Sequence, residues 1–204
     1  DVSDKDRRLI FTCPVYGGSI LNDLVIKGTP AVAVVRSGAF AKEFLAERTG
    51  KIVEEKVGSE EAVHTRIVDV VKEMAEAVNL EEAEVIVSGG MGLGKPEGFK
   101  LLKHLADRFG GTVASSRASV DAGWIDHAYQ VGQTGTTVKP KIYFACGISG
   151  AIQHVAGMQN SGLIVAINTN ENAPIFDIAD IGIVGDLYKV IPAIIEEIDK
   201  LPQD

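Results

Sequence analysis

Short apolar runs of strand length alternate along much of this chain with longer segments whose apolar residues recur at helical spacing. In the second half of the chain, strands are predicted at 85–87, 112–115, 142–146, 163–167 and 181–184. Helical stripes run from Phe99 to Phe109 and from Leu187 to Ile198. Because the strands are apolar throughout and alternate with helices of crossover length, the pattern predicts an α/β fold: a doubly wound, mostly parallel sheet with helices on both faces.

The first 58 residues predict a smaller and incomplete α/β unit. The expected elements are strands at Arg8–Thr12, Ala31–Val35 and Lys51–Val57, with a turn at Tyr16–Gly18 that leads into a short helix. So few elements give a thin core, which we do not expect to fold alone. Gly58 to Glu61 forms the predicted boundary, with Ser59 as the N-cap of a helix whose stripe runs from Ile67 to Val78. We therefore predict a partial N-terminal domain over 1–58 and a ligand-binding domain over 59–204.

Composition narrows the classes of function. The chain has 204 residues, 46% of them hydrophobic, and a net charge of −8, which disfavours nucleic acid as a partner. No apolar run reaches the roughly 18 residues of a membrane span. The two cysteines, Cys13 and Cys146, predict neither a structural disulfide nor a metal site, and they fit a reducing, cytoplasmic-type compartment.

Polar and glycine-rich segments follow the predicted strands of the second half. They are Ser88–Gly92, Ser116–Arg117, Gly147–His154, Asn168 and Asp186. Because ligands bind at the carboxyl ends of the strands in an open parallel sheet, these segments are predicted to meet at one edge. Small residues there let backbone amides approach a large phosphorylated ligand, and Ser149 is a predicted N-cap for the helix that follows.

Two catalytic motifs are matched only in part. Gly89, Gly94 and Lys95 have P-loop spacing, but Pro96 stands where a Ser or Thr should hold Mg²⁺. Ala151 stands where the nucleophile elbow G-x-S-x-G needs its last glycine. ATPase and serine hydrolase are therefore disfavoured. The residues alone leave open an ordinary strand–turn–helix corner after residue 146, a surface ion pair for Arg117 and a structural hydrogen bond for His154.

Taken in order, the motifs of the second half resemble the alpha subunit of electron-transfer flavoprotein. The motifs are Ser116-Arg117, Val120–Gly123, Gln130–Gly135, Gly147–His154, Ala156–Met158, Val165–Asn168, Ala173–Phe176 and Gly182–Leu187. The match covers residues from about 84 to 198 almost without a gap. Residues 8–57 resemble the end of that family's N-terminal domain more loosely.

The resemblance implies a Rossmann-like domain that binds FAD and carries electrons, rather than an enzyme with its own substrate. It implies a heterodimer with an electron-transfer flavoprotein beta subunit. The heterodimer would receive electrons from acyl-CoA or other flavin dehydrogenases, as in fatty acid beta-oxidation. A quinone oxidoreductase or a bifurcating partner would take the electrons on. The implied compartment is the bacterial cytoplasm, or the mitochondrial matrix in a eukaryote, and the bacterial one is favoured. The alternatives are an NAD- or adenylate-binding module without flavin chemistry, and a scaffold domain that has lost its cofactor.

The resemblance also implies roles for individual residues. Ser116 and Arg117 would lie at the isoalloxazine ring, and Thr134 would bond near its N5/O4 edge, with Val131, Gly132 and Gln133 lining that turn. His154 would approach the O2 side of the ring. The ribityl chain and phosphates would contact Ser149, Gly150, Ala151, Ile152 and Gln153. The AMP half would be held by Asn168, Asp186 and Leu187.

Two departures from the family pattern affect these expectations. The family commonly has an Arg after the Gly-Gly pair of the first turn, and this chain has Met91. Backbone amides of 89–92 would then have to replace any phosphate contact from that side chain. The chain is also shorter than family alpha subunits at its N-terminus, and the resemblance implies that the given sequence begins inside the N-terminal domain.

Overall fold

The computed structural model of the protein describes residues 2–5, 8–15, 20–35, 39–40, 50–55 and 79–200. These residues contain two separate sheets. The smaller is antiparallel, in the order β1-β2-β3, and consists of Val2–Lys5, Arg8–Val15 and Ile20–Val25.

The larger sheet has five strands, all parallel. They are β4 (Val85–Gly89), β5 (Thr112–Ser115), β6 (Ile142–Cys146), β7 (Leu163–Asn168) and β8 (Ile181–Val184), and their order in the sheet is β5-β4-β6-β7-β8. The helices are α1 (Gly98–Arg108), α2 (Arg117–Asp121), α3 (Ile152–Val155) and α4 (Leu187–Asp199). The predicted α/β class with a mostly parallel sheet is therefore confirmed.

Side chains that alternate along the central strands build a core on each face of this sheet. Val87, Phe144 and Ile167 project to the face covered by α1 and α4. Ile86 and Tyr143 project to the opposite face, where Val138, Met158 and Ile175 cover them. Burial on both faces explains why these strands are apolar throughout rather than alternating with polar residues.

The two long helices are fixed at their ends by polar contacts. Asp186 precedes α4, and its side chain accepts a hydrogen bond from the Tyr188 amide at 2.9 Å, which caps the helix. The Tyr188 hydroxyl donates to the Leu93 carbonyl at 2.7 Å and so ties α4 to the loop after β4. An ion pair of 2.7 Å between Arg108 and Asp199 links α1 to the end of α4.

Most of the elements predicted for the first 58 residues differ from the structure. The strand at Arg8–Thr12 is confirmed within β2, but residues 20–25 form a strand paired with β2, so the predicted helix is wrong. Residues 31–35 and 51–55 form no regular element, so the strands expected there are wrong as far as these residues extend. The turn at 16–18, the helix stripe from 67 to 78 and the boundary near Ser59 lie outside the described residues. The division into two domains stays a prediction.

Within the described ranges, none of the helices has both the length and the apolar character needed to cross a bilayer.

Candidate functional site

A cavity of about 610 Å³ lies at the carboxyl ends of the parallel strands. The chain leaves β4 toward β5 on one side and later enters β6 on the other, so β4 and β6 flank the point where the strand order reverses. Open α/β sheets bind ligands at that point. Loops that follow β4, β5, β6 and β7 all line the cavity. Four of the five segments that the sequence predicted to converge therefore meet there, and the fifth, Asp186 after β8, does not line the cavity.

Two glycine-rich loops meet backbone to backbone beneath the cavity. The Gly90 amide donates to the Cys146 carbonyl at 3.0 Å, and the Gly92 amide donates to the Gly147 carbonyl at 2.9 Å. A Cβ added to Gly92 would lie 2.5 Å from the Gly147 Cα, and Gly147 has a φ of 62°. Only glycines permit this approach, which is the physical reason for their positions after β4 and β6.

The Gln-Thr-Gly turn forms a second wall. The Gln133 amide donates to the Gln153 carbonyl at 2.7 Å, which holds the turn against α3. Gly157 packs on Gly132, where an added Cβ would come within 2.5 Å of backbone. Thr134 is exposed on the turn, and its hydroxyl accepts a hydrogen bond from the Gln130 side chain at 3.1 Å.

His154 lines the cavity with its ring largely enclosed, and only 6% of the residue is exposed. Its Nε2 is 3.0 Å from the Tyr143 hydroxyl. Its Nδ1 is buried without a partner of good hydrogen-bond geometry, although the Val131 backbone is near enough to raise the pKa slightly. Burial dominates and lowers the pKa of His154 from 6.5 to about 4, so the ring is neutral at pH 7.

Tyr143 is buried beside this histidine, and Cys146 is buried on the opposite face of the sheet. Neither ionises near neutral pH. Desolvation raises the pKa of Tyr143 well above its ordinary value. Desolvation also raises the pKa of Cys146 to about 12. A buried, protonated thiol is a poor nucleophile.

Arg117 supplies the positive charge of the cavity. Its Nε is 3.2 Å from an oxygen of Asp121, and the two side chains are 65% and 63% exposed. An ion pair this exposed contributes at most about 1 kcal/mol, so a ligand anion can compete for the guanidinium. Among the described lining residues, Arg117 is the only cation and Asp121 the only carboxylate.

The segment after β6 differs from the prediction at one point. Helix α3 begins at Ile152 with Ala151 as its N-cap, so the assignment of Ser149 as the cap was wrong. Gly150 has a φ of 92°, which keeps residues 149–151 out of the helix. Within the part of the chain that the structure describes, the amides of Ser149, Gly150 and Ala151 donate to no backbone carbonyl. These three amides can therefore donate hydrogen bonds to anionic or carbonyl oxygens of a ligand.

Asn168 holds two loops of the cavity together. Its side-chain nitrogen donates to the Ile148 carbonyl at 3.0 Å, and its side-chain oxygen accepts from the Asn170 amide at 2.9 Å. Asn168 therefore both lines the cavity and fixes the loops after β6 and β7.

Most of the predicted site residues line the cavity. They are Ser116, Arg117, Val131, Gly132, Gln133, Thr134, Ser149, Ala151, Gln153, His154 and Asn168. Four others do not line it. Gly150 packs against the backbone of 174–175, Ile152 is 80% exposed, Asp186 caps α4, and Leu187 is buried in the core. The proposed ligand contacts of all these residues stay predictions.

Some lining residues were not predicted as site residues. They include Ala118, Asp121, Gln130, Asn170, Ala173 and Pro174. Gln130 and Ala173–Pro174 belong to motifs of the resemblance, so their sequence context could have identified them. Asn170 follows Asn168 by two residues beyond β7, where a second polar side chain at a strand end is a usable indication.

Among the described residues, no group of His, Cys, Asp and Glu side chains is arranged to hold a metal ion.

Comparison with known proteins agrees with the resemblance. Residues 79–159 match the family model described as the electron transfer flavoprotein FAD-binding domain. The chain is 52% identical over 201 residues to electron transfer flavoprotein subunit alpha of Thermoanaerobacterium thermosaccharolyticum, covering 97% of this chain and 61% of that protein. It is 47% identical to the same subunit of Megasphaera elsdenii, covering 98% of this chain and 60% of that protein.

A third relative carries a different name. The chain is 46% identical over 202 residues to the acryloyl-CoA reductase electron transfer subunit beta of Anaerotignum propionicum, covering 95% of this chain and 55% of that protein. The chain thus spans about three fifths of the length of these relatives. The expected resemblance to the alpha subunits is confirmed, and residues 79–159 match a model of the expected FAD-binding family.

Proposed function

We propose that this chain, a relative of electron transfer flavoprotein alpha subunits whose residues 79–159 match the FAD-binding domain of that family, holds FAD in the cavity at the strand ends. In this proposal the chain carries electrons and has no substrate of its own. The observation that supports it most is the convergence of four strand-end loops on one cavity, within a domain of the matching family.

The donors in the cavity suit such a cofactor. The amides of 149–151 are without backbone acceptors in the described chain and can bond phosphate oxygens. Arg117 and the Thr134 hydroxyl are exposed to the cavity and can bond the oxygens and nitrogens of a flavin ring. The bound flavin supplies the redox chemistry, and the protein supplies position and electrostatics.

Individual roles follow from these positions as proposals. Arg117 and Ser116 lie at the end of β5 and would contact the ring, with Thr134 opposite them on the Gln-Thr-Gly turn. His154 presents a neutral ring whose Nε2 is already shared with Tyr143, so contact with a flavin carbonyl would require that hydrogen bond to rearrange. Asp186 and Leu187 lie outside the cavity, and nothing in its geometry supports their predicted contact with the AMP half.

Partners are proposed from the family resemblance and from the names of the relatives. We propose that an electron transfer flavoprotein beta subunit pairs with this chain, and that flavin dehydrogenases, including acyl-CoA dehydrogenases, donate electrons to the pair. A quinone oxidoreductase or a bifurcating enzyme would accept them, in the cytoplasm of a bacterium. The name of the Anaerotignum propionicum relative favours a role beside an acyl-CoA oxidoreductase. The alternative of an NAD or adenylate module without flavin chemistry is not favoured, because the matched family model is that of an FAD-binding domain.

Gel filtration with an absorption spectrum tests the proposal. The purified chain is mixed with FAD, with NAD in a parallel sample, and passed over the column alone and with the beta subunit. We expect the two visible bands of flavin to elute with the protein, and no retention of NAD. A folded chain that stays colourless under both conditions would contradict the proposal.

A further inference from the structure

The hydroxyl of Thr134 is oriented by a side chain beneath it. The side-chain nitrogen of Gln130 donates to the Thr134 Oγ1 at 3.1 Å. Gln130 is only 3% exposed, whereas Thr134 is exposed on the turn that lines the cavity. A buried amide therefore contacts a hydroxyl whose other side faces the cavity.

Backbone contacts fix the position of Gln130. Its amide donates to the His127 carbonyl at 2.9 Å, and its carbonyl accepts from the Thr136 amide at 2.8 Å. Gly135 packs directly on it, since a Cβ added there would lie 2.9 Å from the Gln130 Cγ. The side-chain amide is thus held under the turn and has little freedom to move away from Thr134.

The polarity of this contact decides what Thr134 can offer to a ligand. A hydroxyl group has one hydrogen to donate and two lone pairs to accept with. Because the Gln130 amide donates to the hydroxyl, one lone pair is used and the hydrogen is left for another partner. The exposed side of Thr134 faces the cavity, so the available partner is a ligand acceptor.

Building on the proposed function, we propose that Gln130 is a positioning residue that directs the Thr134 hydroxyl hydrogen toward an acceptor atom of the FAD isoalloxazine ring. The contact would favour forms of the ring in which that atom carries no proton. Gln130 also lines the cavity, but it is only 3% exposed, and its proposed role is exerted through Thr134.

Gln130→Glu tests this polarity with almost no change in shape. The ionised carboxylate can only accept, so the Thr134 hydroxyl would turn its hydrogen toward Glu and away from the ring. The protonated acid can donate again. We therefore expect FAD binding by Gln130→Glu to be about tenfold to a hundredfold weaker than wild type at pH 8, and to approach wild type as the pH falls.

Thr134→Val provides a control in which the hydroxyl is absent and the shape of the side chain is nearly unchanged. Any direct repulsion between the new carboxylate and FAD acts with or without the hydroxyl, so it appears in both backgrounds. The part that acts through Thr134 appears only when the hydroxyl is present. FAD affinity of the full 204-residue chain is measured by flavin fluorescence between about pH 5 and 8 for wild type, both single variants and the double variant.

The possible outcomes distinguish failure of the inference about Gln130 from failure of the proposed FAD-binding function. A pH-dependent loss in Gln130→Glu that largely disappears in the Thr134→Val background supports the inference. An equal loss in both backgrounds, or none, would overturn it while leaving the proposed function intact. If wild type binds no FAD either alone or with the beta subunit, the proposed function and this inference fail together. If Gln130→Glu does not fold by circular dichroism, Gln130→Met replaces it, and its loss of affinity must likewise depend on Thr134.

Discussion

Gly150→Ala is expected to destabilise the parallel-sheet domain strongly, although the substitution adds only a methyl group. Gly150 has a φ of 92°, and an added Cβ would lie 2.6 Å from the Ile175 Cα and 2.8 Å from the Pro174 carbonyl carbon. Both neighbours are backbone atoms, so neither can rotate away. The Pro174 segment must therefore move, and with it a wall of the cavity.

The size of the effect follows from three contributions. The left-handed backbone conformation costs a non-glycine residue about 1–2 kcal/mol. Overpacking against backbone costs about 1–3 kcal/mol. The hydrogen bond of 3.0 Å from the Ile175 amide to the Ser149 carbonyl would be strained, at about 1 kcal/mol. We expect the free energy of unfolding to fall by roughly 3–6 kcal/mol in total.

Urea unfolding followed by circular dichroism measures this difference against a matched control. Gly110 has a φ of 60° and no atom within 4 Å of an added Cβ, so Gly110→Ala carries only the conformational cost. It is expected to lose about 1–2 kcal/mol. If Gly150→Ala is no more destabilising than Gly110→Ala, the packing of Gly150 on the Pro174 segment is not as described and the argument is refuted.

Three further predictions concern charge, pH and the link between α4 and the site. Arg117→Ala is expected to lower the reduction potential of the bound flavin, because a cation stabilises the negative charge of the reduced ring, whereas Arg117→Lys should largely retain it; an unchanged potential in a potentiometric titration would remove Arg117 from this role. The pKa of His154 is about 4 in the folded chain against 6.5 in the unfolded one. The wild-type free energy of unfolding is therefore highest above pH 6.5 and falls by up to roughly 3 kcal/mol toward pH 4. His154→Gln should remove this part of the pH dependence. Urea unfolding at several pH values checks this, and an equally steep loss in the variant would contradict it. Tyr188→Phe loses the 2.7 Å hydrogen bond to the Leu93 carbonyl and should cost about 1 kcal/mol, against no change for Tyr129→Phe, whose hydroxyl has no hydrogen bond to the described residues; equal stabilities of the two variants would count against the link.

Much of the parallel domain could be predicted from the sequence because periodicity and burial agree there. The buried strand β6 is continuously apolar and was predicted with the bounds that the structure shows. The edge strand β8 is also apolar and was predicted with its observed bounds, although three of its four residues are exposed. The convergence of polar segments at one edge followed from the parallel order alone. These features depend on patterns repeated over many residues, which local sequence encodes well.

Features that depend on a single contact were missed. Residues 20–25 have apolar positions compatible with either period over so short a length, and pairing with β2 decides in favour of a strand. Ser149 has the composition of an N-cap, but the φ of Gly150 delays α3 to Ile152. Asp186 precedes an apolar helical stripe, which is a position typical of the N-cap that it forms. The resemblance implied a ligand contact for it instead. Such outcomes depend on neighbours distant in sequence.

The central claim, that FAD occupies the cavity at the strand ends, is tested most directly by blocking that cavity. Ala151 lines the cavity, and Ala193 is exposed on α4 away from it, so Ala151→Trp and Ala193→Trp make the same substitution inside and outside the site. FAD affinity is measured for both variants by flavin fluorescence, after circular dichroism has shown that they fold. We expect Ala151→Trp to abolish binding and Ala193→Trp to bind as wild type does. Undiminished binding by a folded Ala151→Trp would place the cofactor elsewhere and contradict the account.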